Sequence, residues 1–261
     1  RVLFRSLGHA NNTYALKFGG GDINDNNCTN NGVNHNYNII YTQGCYCNSW
    51  DNRLPDGGIT GSEAISEAWT TIQNGAVCFL GNTRYGWGSG GNTNGASQHY
   101  HREFIDALFA EDYFEIGKAN QRSKDETVPF INPNGFSVLR WCYYELSLLG
   151  DPALEIWTDT PDFFVVVADT FISTGDSSFT FLVDVAGATA AVSQSGTLLG
   201  TAQTNGGQIT VPLSDPISST EPVRVMVSKH NYLPFDAELD VYVPNAPNLL
   251  FTGAIVDDNE G

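Results

Sequence analysis

A cysteine and a histidine in this sequence stand where two reactive side chains could meet. Cys45 directly follows Gly44 at the end of an apolar run, YNIIYTQG (37–44), and His9 follows Gly8 after the apolar stretch VLF. A thiol beside an imidazole can perform acyl transfer, because the imidazole takes the thiol proton and the thiolate attacks a carbonyl carbon. Such a pair is expected to hold a thiolate well below pH 8. Nearby backbone N–H groups would then stabilise the oxyanion.

The segments around these residues predict an α/β domain with parallel strands. The runs at 37–44 and 76–82 are short, apolar and rich in β-formers, as buried parallel strands are. Helical periodicity separates and follows them, which predicts strands that run parallel beneath helices. Because the carboxyl ends of parallel strands meet at one edge of a sheet, His9 and Cys45 are predicted to lie at the same edge.

The sequence also predicts where the helices begin and end. A first helix at 60–75 has a Thr60–Glu63 capping box and stops at Gly75. A second, at 97–112, has Ser97 as its cap and an inward stripe of Phe104, Ile105, Leu108 and Phe109. A third, at 135–150, is capped by Asn134.

Composition and charge exclude several classes of partner. The formal net charge is −17 with only 12 Lys and Arg, so nucleic acid and anionic membrane surfaces would be repelled. No apolar run approaches the length of a membrane span, so no membrane insertion is expected. Low Lys with many Asn, Thr and Gly indicates a secreted or cell-surface protein. From about Pro161 onward, short strands separated by turn residues predict an antiparallel sandwich.

Seven segments, from His9 to about Trp157, occur in an order that resembles the gingipain-type (family C25) cysteine peptidases. They are GHANNTY, YTQGC, SEAISEAW, FLGNTRYGWG, REFIDALF, GKANQRSKD and LLGDPALEIW. The resemblance implies part of a caspase-like three-layer α/β/α domain at 1–158 and an immunoglobulin-like sandwich at 159–247. Residues 248–261 would begin a linker or a further domain.

The same resemblance implies the roles of the site residues. His9 matches the histidine of the family's Gly-His-Gly motif and acts as general acid and base, and Cys45 matches the nucleophile. The oxyanion donors would be the backbone N–H groups of Cys45 and of Ala10, which stands where the family has glycine and could therefore resist an unusual φ. The implied activity is that of a secreted cysteine endopeptidase acting on proteins or peptides through a thioacyl-enzyme. Family members carry an acidic residue and part of the specificity pocket upstream of the histidine, so an upstream segment or chain is expected to complete the domain.

Several assignments keep two interpretations open. Gly44 and the segment with Arg84, Tyr85 and Trp87 are predicted to bind substrate, although that segment could equally be a structural aromatic loop. The fold could also be retained as a catalytically silent, structural or adhesive module of a large surface protein.

Neither a cofactor nor a catalytic metal is expected to be required. The run GGGDINDNN (19–27) could hold a structural Ca²⁺ but lacks the EF-hand spacing, and a solvated turn is the alternative. Five cysteines allow at most two disulfides, and Cys28 with Cys47 is one conceivable pair. Cys78 and Cys142 are predicted to be buried small hydrophobes.

Overall fold

The structure is a computed structural model that describes residues 2–135 and 137–244. The chain divides into two compact units, with the division between Thr158 and Asp159. The predicted segment 248–261 lies outside the described residues. None of the helices in the described ranges is long and apolar enough to cross a membrane.

The first unit is built on a four-stranded sheet with the order β1-β4-β5-β6. Its strands are β1 (Val2–Ser6), β4 (Asn38–Thr42), β5 (Ala76–Asn82) and β6 (Leu146–Gly150), and a small hairpin pairs β2 (Tyr14–Ala15) with β3 (Phe18–Gly19). The strands β1, β4 and β5 are parallel, and β6 runs antiparallel to β5. The sheet is therefore mixed, whereas the sequence predicted parallel strands alone.

Helices cover both faces of this sheet. They are α1 (Ile65–Thr71), α2 (Ala96–Phe109), α3 (Ile116–Thr127) and α4 (Val138–Glu145), with short 3₁₀ turns at Gly20–Asp22 and Val128–Phe130. Alternate residues of a strand point to opposite faces, so Ile40 packs with α1 while Ile39 and Tyr41 pack with the other three helices. These three layers confirm the predicted α/β/α fold class.

Two helix starts differ from those that the sequence predicted. The first helix begins at Ile65, where the Glu67 carboxylate accepts the N–H of Ala64, while the Thr60 hydroxyl accepts the N–H of Ser62 within a turn. The third is capped by Ser137, whose hydroxyl accepts the N–H of Arg140, and Asn134 is not its cap. In both places a competing polar residue nearer the first helical turn has taken the capping role.

The second predicted helix begins one residue earlier and ends three residues earlier than predicted, and it is less buried at its end. It follows Gly95 rather than Ser97, and Phe109 is 57% exposed instead of facing the core. Gln98 accepts the N–H of Gly95, which completes the cap.

The predicted helix at 135–150 ends early, and one helix was missed. Residues 146–150 form β6 because their backbone pairs with β5, which no local periodicity reveals. The helix α3 buries Ile116, Ala119, Ser123 and Thr127, mostly small or polar residues that give no apolar stripe in the sequence.

The second unit is a sandwich of two sheets. One sheet has the order β11-β10-β13-β14-β8 and the other β12-β9-β7. The strands are β7 (Val166–Val167), β8 (Phe171–Ser173), β9 (Ser178–Val183), β10 (Ala186–Gln194), β11 (Thr197–Asn205), β12 (Gln208–Pro212), β13 (Val223–Ser228) and β14 (Phe235–Tyr242). The alternating burial along β9, where Phe179, Phe181 and Val183 face the core, is the pattern of a half-buried strand. This all-β sandwich confirms the fold predicted for the second half.

Candidate active site

His9 and Cys45 line one cleft at the carboxyl edge of the sheet. Each lies three residues after its strand, β1 for His9 and β4 for Cys45, and these two strands are neighbours. The cleft has a volume of about 500 Å³, and its walls also contain Gln43, Gln98 and the loop that holds Gly86. The structure thus brings the predicted pair together.

The loops that carry the two residues are in contact through Gly44 and Ala10. A Cβ on Gly44 would lie 2.4 Å from the Cβ of Ala10, so only glycine at position 44 leaves room for alanine at position 10. Ala10 is not among the residues with a positive φ, so it adopts its conformation without the strain anticipated from the sequence. Gly44 is buried at this close approach, and its contact with substrate stays a prediction.

The Cys45 thiol is partly buried and hydrogen-bonded. Its Sγ donates to the carbonyl oxygen of Gly86 at 3.5 Å. Burial raises the pKa of this thiol and the charge of Glu145 raises it further, while a backbone hydrogen bond with Gly86 lowers it in part. This direction is opposite to the low thiol pKa that the sequence led us to expect. The His9 side chain is exposed, and within the described residues it makes no hydrogen bond.

The two backbone N–H groups predicted to be oxyanion donors have no hydrogen-bond acceptor among the described residues. In the described part of the chain, neither the N–H of Ala10 nor that of Cys45 is engaged in a hydrogen bond, whereas the N–H of the intervening Gly44 donates to the Thr42 hydroxyl at 3.2 Å. Unengaged donors near a nucleophile are what a developing oxyanion requires.

Hydrogen bonds from the side chains of Asn82 and Cys47 hold the turn around Cys45, and the role of Asn82 was not identified from the sequence. Asn82, at the end of β5, donates through Nδ2 to the carbonyl oxygens of Gln43 at 3.1 Å and Gly44 at 3.3 Å. Its position at the end of a buried strand was a signal that could have found it, by the same reasoning that found Cys45. Cys47 is fully buried, donates to the carbonyl of Gly44 at 3.3 Å and has its pKa raised by burial to about 12, so it is an inert neighbour.

The predicted substrate-binding segment divides into a structural part and an exposed part. Arg84 makes a two-pronged ion pair with Asp51, at 2.6 and 3.1 Å, and is not among the residues that line the cleft. Its role in substrate binding stays a prediction. Tyr85 and Trp87 are 43% and 42% exposed, and the Tyr85 ring lies edge-on against Tyr46, the residue after Cys45. They flank the cleft without lining it.

The loop carrying Trp87 is fastened to the start of α2. Ser97 donates its N–H to the Trp87 carbonyl at 2.9 Å and accepts the Trp87 N–H on its hydroxyl at 3.0 Å. Gln98 accepts the N–H of Ser89 at 3.2 Å. The loop that accepts the Cys45 thiol hydrogen bond therefore has a fixed position.

Glu145 is a buried carboxyl group that sequence analysis did not single out. It ends α4, is 4% exposed, and its backbone carbonyl accepts the N–H of Thr83 at 2.9 Å. Burial raises its pKa to about 7, and the neighbouring Cys142, Trp141 and Arg84 offset this only in part. Its sequence context, inside an aromatic helix, gave no sign of its proximity to Cys45.

The remaining cysteines and the loop 19–27 do not line the cleft. All five cysteines are free thiols, so the conceivable Cys28–Cys47 disulfide is not formed. Cys78 and Cys142 are fully buried, as predicted. In the loop 19–27, Asp22 accepts the N–H of Gly19 and Asn24 accepts two backbone N–H groups. The described residues contain no cluster of three metal-ligating side chains, and Ca²⁺ binding there stays a prediction.

Comparison with known proteins gives a consistent relationship for both units. The family model described as Peptidase family C25 matches residues 3–157, and that of the Peptidase family C25 C-terminal Ig-like domain matches residues 167–241. No match was found among curated proteins.

Two solved structures share the fold. The crystal structure of the Arg-specific cysteine proteinase gingipain R (RgpB) is 18% identical, with a TM-score of 0.71 over 92% of this chain and 53% of that one. The complex of Porphyromonas gingivalis RgpB pro- and mature domains is also 18% identical, with a TM-score of 0.68 over 92% and 54%. The chain thus spans about half the length of these structures.

Proposed function

Because this chain belongs to peptidase family C25, we propose that it carries the nucleophile and the general acid and base of a cysteine endopeptidase. The observation that supports this most directly is the single cleft lined by Cys45 and His9. The unengaged N–H groups of Ala10 and Cys45 are available to stabilise the oxyanion, which acyl transfer requires in addition to a nucleophile and a base.

Acylation begins with a proton transfer. The His9 imidazole accepts the proton of the Cys45 thiol as the sulfur attacks the carbonyl carbon of the scissile bond. The carbonyl oxygen becomes an oxyanion and accepts hydrogen bonds from the N–H groups of Ala10 and Cys45. When the tetrahedral intermediate collapses, the C–N bond breaks, and His9 gives its proton to the leaving nitrogen.

Deacylation repeats the sequence with water. His9 takes a proton from a water molecule that attacks the thioester carbon, and the C–S bond breaks to release the acid product. The proton returns to the Cys45 sulfur, which restores the starting state. Thiol and imidazole supply the nucleophile and the acid, so this reaction uses no cofactor.

The surroundings of Cys45 favour a neutral thiol at rest. Burial raises the pKa of the thiol, which favours proton removal during attack over a preformed thiolate–imidazolium pair. Apo structures commonly show catalytic hydrogen bonds that are not yet formed, so an exposed His9 is compatible with this role.

The proposal extends to the setting of the enzyme. Its substrates are proteins or peptides, and an upstream segment or chain supplies the carboxylate that orients His9. We also propose that the protein is secreted or held on the cell surface, in keeping with its composition.

Single substitutions in the full-length protein test the proposal. Cys45→Ala and His9→Ala should each lower the hydrolysis of denatured casein by at least about a thousandfold. Cys28→Ala removes a thiol outside the cleft and should leave the rate unchanged. Undiminished hydrolysis by Cys45→Ala would contradict the proposal, and a folded wild type without activity on any protein would favour the silent structural module.

A further inference from the structure

Apolar side chains extend the catalytic cleft on its His9 side. A second cavity, of about 550 Å³, shares Leu7, Gly8 and His9 with the first and is otherwise lined by Ser6, Tyr14, Leu16 and Lys17. Leu7 is 67% exposed and Tyr14 is 41% exposed. The two cavities therefore adjoin at Leu7, Gly8 and His9, between Cys45 and the β2–β3 hairpin, and are together called the groove below.

The tip of that hairpin is held in a strained conformation. Leu16 and Lys17 connect β2 to β3 in two residues, and their φ angles are 61° and 70°. Two-residue turns with both φ angles positive favour Asn-Gly, because other side chains are strained there. Strain of this kind is typically retained at functional sites. Here it places a leucine and a lysine in the wall of the groove beside His9.

The chemistry of the proposed peptidase assigns an occupant to this part of the groove. His9 must protonate the leaving nitrogen, so the part of the substrate that follows the scissile bond lies on the His9 side of Cys45. We propose that Leu7, Tyr14 and Leu16 form a subsite for the residues after the scissile bond and select a large apolar side chain there. This inference rests on the proposed function.

The charges of the groove also determine which substrate side chains the subsite accepts. Among the described residues, its lining contains no carboxylate, and Lys17 is its cation, without an ion pair. A basic side chain after the scissile bond would meet a like charge, whereas an apolar one would cover Leu7 and Tyr14. The subsite should therefore reject Lys and Arg and accept Leu, Ile, Phe or Met.

Cleavage of a peptide library tests this subsite separately from the catalytic pair. The full-length protein is incubated with a library of proteome-derived peptides, and mass spectrometry identifies the cleaved bonds. Pairs of quenched fluorescent peptides are then made that differ only in an apolar residue or a serine after the scissile bond. We expect kcat/KM to be about tenfold higher for the apolar member, a size typical of a partly enclosed hydrophobic subsite.

Matched variants identify the residues responsible. Tyr14→Ser and Leu7→Ser should each reduce the tenfold preference for the apolar peptide over the serine peptide to about threefold or less. Tyr144→Ser removes a 76% exposed tyrosine of the same unit that does not line the groove, and it should keep the full preference. Leu16 is a poorer probe because it also packs against the core.

The outcomes of the subsite and of the proposed function are distinguishable. Peptides cleaved without an apolar preference, or a preference untouched by Tyr14→Ser, would overturn the subsite and leave the peptidase standing. A lower midpoint of thermal unfolding for Tyr14→Ser than for Tyr144→Ser, with an unchanged preference, would show that another part of the protein covers this face, and it would also overturn the subsite. Absence of all cleavage would instead refute the proposed function on which the subsite rests.

Discussion

At the scale of single residues, the protonation of Cys45 is set by burial and by two neighbouring groups. Burial raises the pKa of the thiol, a backbone hydrogen bond with Gly86 lowers it, and the charge of Glu145 raises it. Because Glu145 itself has a pKa raised to about 7, its charge appears only as the pH rises through that value. The reactivity of Cys45 therefore depends on the protonation of a second, buried group.

Replacing Glu145 should change the reactivity of Cys45 only on the alkaline side. Below about pH 6 the carboxyl is neutral, so Glu145→Gln should leave the rate of Cys45 alkylation by iodoacetamide unchanged. Above pH 7 the variant lacks a negative charge that opposes the thiolate, and alkylation should be a few-fold faster. The rate at Cys45 is measured by mass spectrometry between pH 5.5 and 9.

The control for this prediction is an exposed carboxylate. Glu126→Gln on α3 should not alter the alkylation profile, since that side chain lies at the surface and pairs with Arg122. The electrostatic coupling would be contradicted if Glu145→Gln changed the alkylation rate by the same factor at every pH. It would also be contradicted if the variant and the wild type were alkylated at the same rate at pH 9.

At the scale of elements, the meeting of two loops determines the geometry of the site. The loop after β1 and the loop after β4 touch at Ala10 and Gly44, where a Cβ on Gly44 would lie 2.4 Å from that of Ala10. Contact this close couples the position of His9 to that of Cys45.

Gly44→Ala should separate the two loops and impair the enzyme. We expect a loss of about 1 to 3 kcal/mol in the free energy of unfolding and at least a tenfold fall in kcat/KM, because the added methyl group overpacks the contact. The double variant Gly44→Ala/Ala10→Gly removes the opposing methyl group and should recover most of both losses. Denaturant unfolding and peptide hydrolysis measure the two quantities, and a double variant no better than the single one would show that the contact is not the cause.

The link between α2 and the loop beyond β5 should govern substrate binding. Ser97→Ala removes the acceptor of the Trp87 N–H, which costs about 1 kcal/mol in stability. Because that loop forms one wall of the cleft, we expect KM to rise several-fold with little change in kcat.

Ser123→Ala is the matched control for that variant. It removes a buried hydroxyl on α3 that bonds the carbonyl of Asn120, so it should cost similar stability and leave KM unchanged. Equal kinetic effects in the two variants would attribute the change in KM to general destabilisation.

The ends of the strands that precede His9 and Cys45 were predictable from the sequence. The residues that hold these loops in place were harder to predict. Cys45 and His9 each follow an apolar run, and these runs predict where the two strands end. A strand can be predicted in this way because its apolar pattern is a local property of the sequence. Glu145, Ser97 and β6 are brought to the site by pairing with β5 and by packing between helices, which are contacts distant in sequence. Asn82 is intermediate, since its position at a strand end was readable but its hydrogen bonds were not.

At the scale of the whole molecule, the chain combines part of a C25 peptidase fold with an immunoglobulin-like sandwich. It spans about half the length of the solved structures that it matches. The alternation of strand and helix, followed by strands alone, was enough to predict both fold classes. The antiparallel last strand of the first sheet was not predictable, because the apolar pattern of LSLLG fits a helix and a strand equally well.

The central claim is that His9 activates Cys45, and covalent labelling of the native, unreduced full-length protein tests it most directly. The protein is incubated at pH 7.5 with a peptidyl acyloxymethyl ketone, and the adduct is mapped by mass spectrometry. We expect an adduct on Cys45 alone that His9→Ala abolishes, while iodoacetamide at pH 9 still alkylates Cys45 in that variant. Equal ketone labelling of Cys45 with and without His9, or no adduct on Cys45 in the folded protein, would contradict it.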